Sequence, residues 1–358
     1  MKKSIYFYLR GAKIISIVLS VFVTASIFFI FIEIQELKIK SESQLKINRN
    51  VALVTTAISL ISTVNKVGKD KKSEEKDALL HIIIDSVEKD NSTLYTTLIL
   101  ISSFVNHKSR RNTIRESWGN SSNWNTEQKY LLVFVVGRVM NTNSMIEIAE
   151  EAKLQKDILY LDVFEDFYLL TKKVIIGFIW AKHNINFKAL LKGDDDTFMN
   201  LDNIMKFVQH NEVTDGYFGN KIDRAYVKRS GRYQVTKDER NESNYNPYCS
   251  GGGFILTNSS VYKMIPIFDL KKIFRIDDVF IGEVALKAGI QVQSAKGFYM
   301  YNSWCEYKKD IMVSHPSIDS ECNSFLLKRS MIDNGKLPRN IELESTRCYK
   351  NIKECINS

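Results

Sequence analysis

Residues Phe187 to Leu191 form an apolar run that leads, through Lys192 and Gly193, into three consecutive carboxylates, Asp194, Asp195 and Asp196. The run reads as a buried strand, and the acids stand where that strand ends. In an open α/β sheet, ligands bind beyond the carboxyl ends of the strands. Three adjacent carboxylates repel one another, so something positive must offset them. A divalent cation is the obvious partner, because hard oxygen ligands suit magnesium or manganese, and a phosphorylated substrate would share the ion. The competing reading is a solvated acidic turn, since charged runs usually face water.

The surrounding chain alternates strand-like and helix-like stretches. Leu94 to Phe104 is apolar and β-rich, and Ser109 to Gly119 reads as a short helix stopped by glycine. Tyr130 to Val136 is a second strand, Ser144 to Gln155 a helix, Asp157 to Val163 a third strand and Leu170 to His183 an amphipathic helix. Such alternation predicts an α/β fold with a mostly parallel, Rossmann-like central sheet. After the acids come a helix at Leu201 to His210, a strand at Gly216 to Lys221 and a polar loop from Asp223 to Asn246.

The N-terminal part has a different character. Ile14 to Ile32 runs for 19 residues without a charge, preceded by Lys2, Lys3, Arg10 and Lys13 and followed by Glu33 and Glu36. That length spans a bilayer core as a helix, and the charge bias keeps residues 1–13 cytoplasmic. A cleaved signal peptide is the alternative, disfavoured because no small-residue cleavage site follows promptly. Residues 33–92 read as a polar stem, within which Val51 to Val64 is too short for a second span. The globular domain is expected from residue 93 to 358. Either reading of the N-terminus puts that domain in the secretory lumen, and four N-glycosylation sequons, at Asn91, Asn120, Asn241 and Asn258, mildly agree. All five cysteines lie after residue 248 without a C-x-x-C pair, which argues against a zinc site and suits an oxidising compartment. The net charge of +9 is spread along the chain with no basic block, so no nucleic-acid partner is expected.

Several other stretches can carry chemistry. Lys192 can balance the acidic cluster or touch phosphate; its plainer role is a structural ion pair. Gly251, Gly252 and Gly253 precede an apolar run and would let backbone approach a ligand closely, unless they are an ordinary flexible turn. Asp277 and Asp278 precede a helical run from Val279 to Lys287. They can cap that helix, or one can act as a general base toward an acceptor hydroxyl. Arg111 and Arg115 stand four apart on one helical face and can contact a diphosphate or face solvent. His315 is one of five histidines and can complete a metal shell.

Taken together and in order, these stretches resemble the β-1,3-glycosyltransferase family, which includes β-1,3-galactosyltransferases and β-1,3-N-acetylglucosaminyltransferases. Arg110 to Gly119 is similar to the family's R-R-x-x-I-R-x-T-W-G, Lys192 to Asn200 to K-x-D-D-D-x-F-x-N, and Tyr245 to Phe254 to Y-P-P-Y-C-S-G-G-G-Y. Asp277 to Gly282 is similar to E-D-V-Y-x-G, and His315 matches a late family histidine. The likeness covers about residues 94–318. It departs at Ser117, at Asp277 and in Phe164 to Thr171, where one residue and an asparagine are missing.

The resemblance implies a GT-A fold, a UDP-sugar donor, Mn²⁺ (or Mg²⁺) and inversion at the anomeric carbon. Carried over residue by residue, it makes Asp196 the metal-binding aspartate, with Asp194 nearby and His315 as second protein ligand. Asp278 becomes the catalytic base. Arg111, Arg115, Lys192, Asp194, Asp195 and the three glycines fall on the donor side. The implied protein is a single-pass type II enzyme of the Golgi membrane that transfers galactose or N-acetylglucosamine to a glycan hydroxyl in a β-1,3 bond. The alternative is a catalytically inactive relative that binds glycans or partner enzymes.

Overall fold

In the computed structural model, the described residues are 72–339 without 212–213 and 318, and all fall in the second of the chain's two units, Gly68–Ser358. The apolar run at 14–32, the stem up to residue 71, and Cys348 and Cys355 lie outside them. Among the described residues no helix is long and apolar enough to cross a membrane.

In chain order the elements are α1 (Lys72–Leu80), β1 (Ile82–Asp85), β2 (Tyr95–Ser103), α2 (Lys108–Glu116), β3 (Tyr130–Arg138), α3 (Thr142–Gln155), β4 (Ile158–Phe164), α4 (Leu170–Asn184), β5 (Phe187–Asp194), β6 (Phe198–Met199), α5 (Leu201–His210), β7 (Tyr217–Ile222), β8 (Tyr248–Thr257), α6 (Asn258–Met264), α7 (Asp277–Lys287), β9 (Val292–Ser294), β10 (Phe298–Tyr299), β11 (Val313–Ser314) and α8 (Ser320–Asp333). The larger sheet has eight strands in the order β1-β4-β3-β2-β5-β8-β7-β9.

The run β4-β3-β2-β5 is parallel, as βαβ connections require. β9 is likewise parallel to β7, so most strands of the sheet run one way as expected, and the exceptions are two strands. β8 runs antiparallel to both β5 and β7, and β1 runs antiparallel to β4, so the sheet is mixed. The domain also begins earlier than residue 93. Ile82–Asp85, read as stem, is an edge strand hydrogen-bonded along β4.

Helices cover both faces of this sheet, and alternate strand residues serve opposite cores. Leu98 and Leu100 of β2 pack with Val133, Val135 and Leu190 beneath α4, α6 and α7. Ile99 and Ile101 pack with Phe134, Val136 and Leu191 beneath α2, α3, α5 and α8. Each such side chain withdrawn from water contributes about 1.5–3 kcal/mol. The central strands are therefore apolar on both faces, which is why they read as continuous apolar runs. The second face is also held by a disulfide between Cys305 and Cys322 at the start of α8, whereas Cys249 is a buried free thiol.

A smaller sheet, β10-β11-β6, closes one side of the site. β6 lies immediately beyond the three acids, and β11 pairs with it antiparallel, Ser314 opposite Phe198. The pairing carries His315, next in sequence, back to the acidic tip of β5.

Candidate active site

A cleft of about 750 Å³ opens where β2 and β5 end. Its walls include Ser103, His107, Arg110, all three acids of the β5 tip, Gly251 and Gly252 of β8, Asp277 and Asp278 of α7, and His315. The acids therefore form part of a cleft and are not a solvated turn.

The three acids do different things. The Asp195 carboxylate is buried and accepts hydrogen bonds from Ser103 Oγ at 2.7 Å and Arg110 Nη1 at 2.9 Å, with His107 Nδ1 at 2.9 Å. Burial alone would raise its pKa, but His107, Ser103 and Arg110 outweigh that and hold it below the usual carboxylate value. Asp195 thus spends its lone pairs on the protein and braces one wall of the cleft. Asp196 Oδ1 lies 3.4 Å from His315 Nε2, and its Oδ2 lies 3.6 Å from Arg110. Burial favours the neutral carboxyl of Asp196, yet His315 reverses the balance and keeps it ionised to lower pH.

Asp194, Asp196 and His315 each offer one ligand atom, all within 4.8 Å of one another. Two carboxylates and an imidazole form a donor set suited to a small divalent cation of the magnesium or manganese kind, so these residues fit such an ion.

Lys192 is buried in the middle of β5, only 1% exposed. Its Nζ donates to Asp194 Oδ1 at 2.8 Å and to the Gly251 carbonyl at 2.7 Å, and stands 3.1 Å from Asp277 Oδ2. Desolvation pulls the ammonium pKa down, but Asp194 and Asp277 overcome it and hold the group charged. With its donors engaged this way, Lys192 does not reach the cleft as a phosphate contact. It ties the acidic tip to β8 and to the first turn of α7.

The glycine triplet lies inside β8 and does not precede it. A Cβ on Gly252 would meet His315 Cγ at 2.7 Å, and one on Gly253 would meet Val313 Cγ1 at 2.7 Å. These positions admit His315 and β11 against the strand; the close approach is by the protein's own side chains. Gly251 is less crowded, and its N–H donates to Asp278 Oδ2 at 3.1 Å. The Val279 N–H donates to Asp278 Oδ1 at 2.8 Å. Ile276, the N-cap of α7, makes no side-chain cap, and Asp277 and Asp278 occupy the first turn. Desolvation, with Asp277 alongside, pushes the Asp278 carboxyl up to about 7. A carboxylate poised near neutral pH at the wall of a cleft suits a general base.

Arg111 and Arg115 must be reassigned. They do share one face of α2, but that face turns inward. Arg111 is fully buried and forks onto Glu151 of α3 at 2.8 and 2.7 Å, while also donating to the Phe104 and Val105 carbonyls. Arg115 bridges Glu151 and Asp157. Neither lines the cleft; this is a structural ion-pair network. Breaking a buried pair costs about 3–5 kcal/mol because it strands a charge. Arg111→Met is therefore expected to lose stability of that order in urea unfolding. A variant of unchanged stability that failed to bind UDP would instead return Arg111 to the donor site.

The residue of that helix which does face the cleft is Arg110, with His107 one turn earlier. The Arg110-Arg111 doublet was visible in the sequence, but periodicity cannot say which member turns outward. The altered Phe164 to Thr171 stretch also borders the site. Glu165 takes the buried Lys173 ammonium at 3.0 Å and accepts from the Gly137 N–H, and Phe167 continues the wall.

The family model for galactosyltransferases matches residues 109–296, which include the β5 tip, the glycines and Asp278 but not His315. Human N-acetyllactosaminide beta-1,3-N-acetylglucosaminyltransferase 4 is 30% identical over 207 residues, 56% of this chain and 54% of that protein. Human N-acetyllactosaminide beta-1,3-N-acetylglucosaminyltransferase 2 is 28% identical over 263 residues, 67% of this chain and 66% of that one. Mouse beta-1,3-galactosyltransferase 1 is 28% identical over 242 residues, 64% of this chain and 73% of that protein. The chain thus spans only about half to two thirds of the length of the first two relatives. Among solved structures, a galactosyltransferase in complex with donor and acceptor sugar analogs aligns at a TM-score of 0.35 and 10% identity, covering 70% of this chain and 99% of that one.

Proposed function

The chain belongs to the galactosyltransferase family, and from that premise we propose that it transfers galactose or N-acetylglucosamine from a UDP-sugar to a glycan hydroxyl, with inversion and in a β-1,3 linkage. One observation carries the reading. A single cleft is lined by the cation-type donor set Asp194, Asp196 and His315 and by Asp278, whose pKa is pushed up to about 7.

In the proposed reaction Asp278 holds the acceptor hydroxyl and takes its proton as that oxygen attacks the anomeric carbon. Displacement with inversion needs the base and the leaving group on opposite sides of the reacting carbon, and the one cleft holds both a candidate base and a candidate cation set to serve it. Arg110 presents positive charge near Asp196, where a leaving diphosphate would sit. Lys192 fixes the spacing between the two halves by joining Asp194 to the α7 first turn. Asp194, Asp196 and His315 would hold Mn²⁺ or Mg²⁺, which when bound neutralises charge on the diphosphate. The same reading makes the fold a GT-A glycosyltransferase domain. With Ile14 to Ile32 as membrane anchor and residues 1–13 cytoplasmic, it makes the protein a type II resident of the Golgi membrane.

The test is release of UDP from a panel of UDP-sugars, with and without Mn²⁺ and with β-galactoside acceptors. Acceptor-dependent UDP release from UDP-galactose or UDP-N-acetylglucosamine is the expected result. Binding without turnover of any donor would favour an inactive, glycan-binding relative.

A further inference from the structure

The loop from Asp223 to Asn246, polar and featureless in sequence, is a built strap. Its ends are joined by a bridge between Tyr226 and Asn244 and by the Val227 N–H to the Ser243 carbonyl at 2.8 Å. Arg229 gathers the interior: its Nη1 donates to the carbonyls of Val235, Thr236 and Arg240 at 2.9–3.0 Å, and its Nη2 to Glu242 at 3.0 Å. Val235 is fully buried against Tyr248, Ile276 and Val279, and Arg240 pairs with Glu283 of α7 at 2.7 Å. The strap is thereby anchored to the helix that carries Asp278.

Its tip holds Arg232 and Tyr233, both lining the cleft. The Arg232 guanidinium lies 4.4 Å over the Phe167 ring and 5.9 Å from the Tyr233 ring, and those rings meet edge to face at 5.4 Å. Among the described residues, the other cleft cations already face acids: His107 and Arg110 the β5 tip, Lys173 Glu165, and His315 Asp196. Among the described residues Arg232 has no ion-pair partner and its side chain donates no hydrogen bond. The strap that carries it is fastened to α7, the helix of Asp278, through Arg240–Glu283 and through Val235 against Ile276 and Val279.

We propose that Arg232, held over Phe167 and beside Tyr233, reads an anionic substituent, a carboxylate or sulfate ester, on the acceptor sugar. This rests on the transferase reading above and adds the class of acceptor. A planar guanidinium fixed on aromatic faces keeps its donor edge free and matches such groups with two parallel hydrogen bonds.

The test compares kcat/KM for lactose, lactose 6′-sulfate and a β-glucuronide, using the full chain and the donor found in the UDP-release panel. The wild type should favour at least one anionic acceptor over lactose by tenfold or more, the worth of a charge-assisted hydrogen bond. Which of the two is favoured separates sulfate from carboxylate. In Arg232→Ala that preference should collapse to about one, with the change in acceptor KM and not in donor KM, and Arg232→Lys should restore only part of it. Equal use of all three acceptors by the wild type, a preference unchanged in Arg232→Ala, or a change confined to donor KM would overturn the proposal and leave the transferase reading intact. Absence of transfer to every acceptor would instead strike at that reading. Arg232 is exposed, so both variants are expected to keep the wild-type melting curve, which separates a lost contact from misfolding.

Discussion

Asp278→Asn should lose transfer by about 10²–10⁴-fold, the range that a positioned general base supplies, while still binding UDP. The separation follows from placement. The Asp278 carboxyl accepts from the Gly251 and Val279 amides and is not a member of the Asp194, Asp196 and His315 donor set. Calorimetric titration with UDP and Mn²⁺ beside steady-state rates would check it; a variant that transfers at the wild-type rate removes Asp278 as the base.

The same carboxyl sets a pH dependence. Desolvation and Asp277 raise its pKa from the ordinary 3.8 to about 7, and the ionised form is the competent base. kcat/KM should therefore climb with pH and level off above about 7, a step that the Asn variant's residual activity lacks. The stability consequence has the opposite sign. A raised folded-state pKa means stability that is present below about 4 and lost as pH rises through about 7. Asp278→Asn should accordingly have a larger unfolding free energy than the wild type at pH 8, by no more than about 4 kcal/mol at 1.36 kcal/mol per unit, with the gap closing toward pH 4. Partial solvent access to Asp278 reduces that figure.

The second large effect is expected at the β5 tip. Asp196→Ala should remove the divalent-cation dependence of UDP affinity, lowering the Mn²⁺-promoted gain by about 100-fold, since losing a carboxylate from a three-residue donor set costs several kcal/mol of Lewis-acid binding. Asp195→Asn is the informative control. Asp195 is committed to Ser103, His107 and Arg110, so its loss should appear chiefly as lowered stability, with Mn²⁺ still raising UDP affinity. Unchanged Mn²⁺ dependence in the Asp196 variant would exclude it from the donor set.

These expectations rest on parts of the molecule that the sequence discloses unevenly. Strands sandwiched between two helical layers are apolar throughout, so β2, β3 and β5 could be found from composition alone. The acidic tip was visible because it terminates such a run. Strand direction was not, since periodicity is the same for parallel and antiparallel partners, so nothing in the sequence said that β8 runs against β5. The triplet of glycines signalled crowding, but only the fold tells that His315 and Val313 are what crowd it. For α2, spacing put Arg111 and Arg115 on one face correctly and left unsaid that the face points into the core. The strap was illegible for a related reason. Its order comes from one arginine satisfying four carbonyls, and nothing in a polar stretch announces that.

The short strand at Ile82–Asp85 has a consequence for where this chain can be cut. It covers the outer edge of β4, supplying partners to Leu159, Tyr160 and Leu161. A fragment started at Thr93 would strip that cover and leave β4 with a bare row of amides and carbonyls flanked by apolar side chains, the pattern that recruits foreign strands and leads to aggregation. The Ile82–Asp85 strand is thus a guard against self-association.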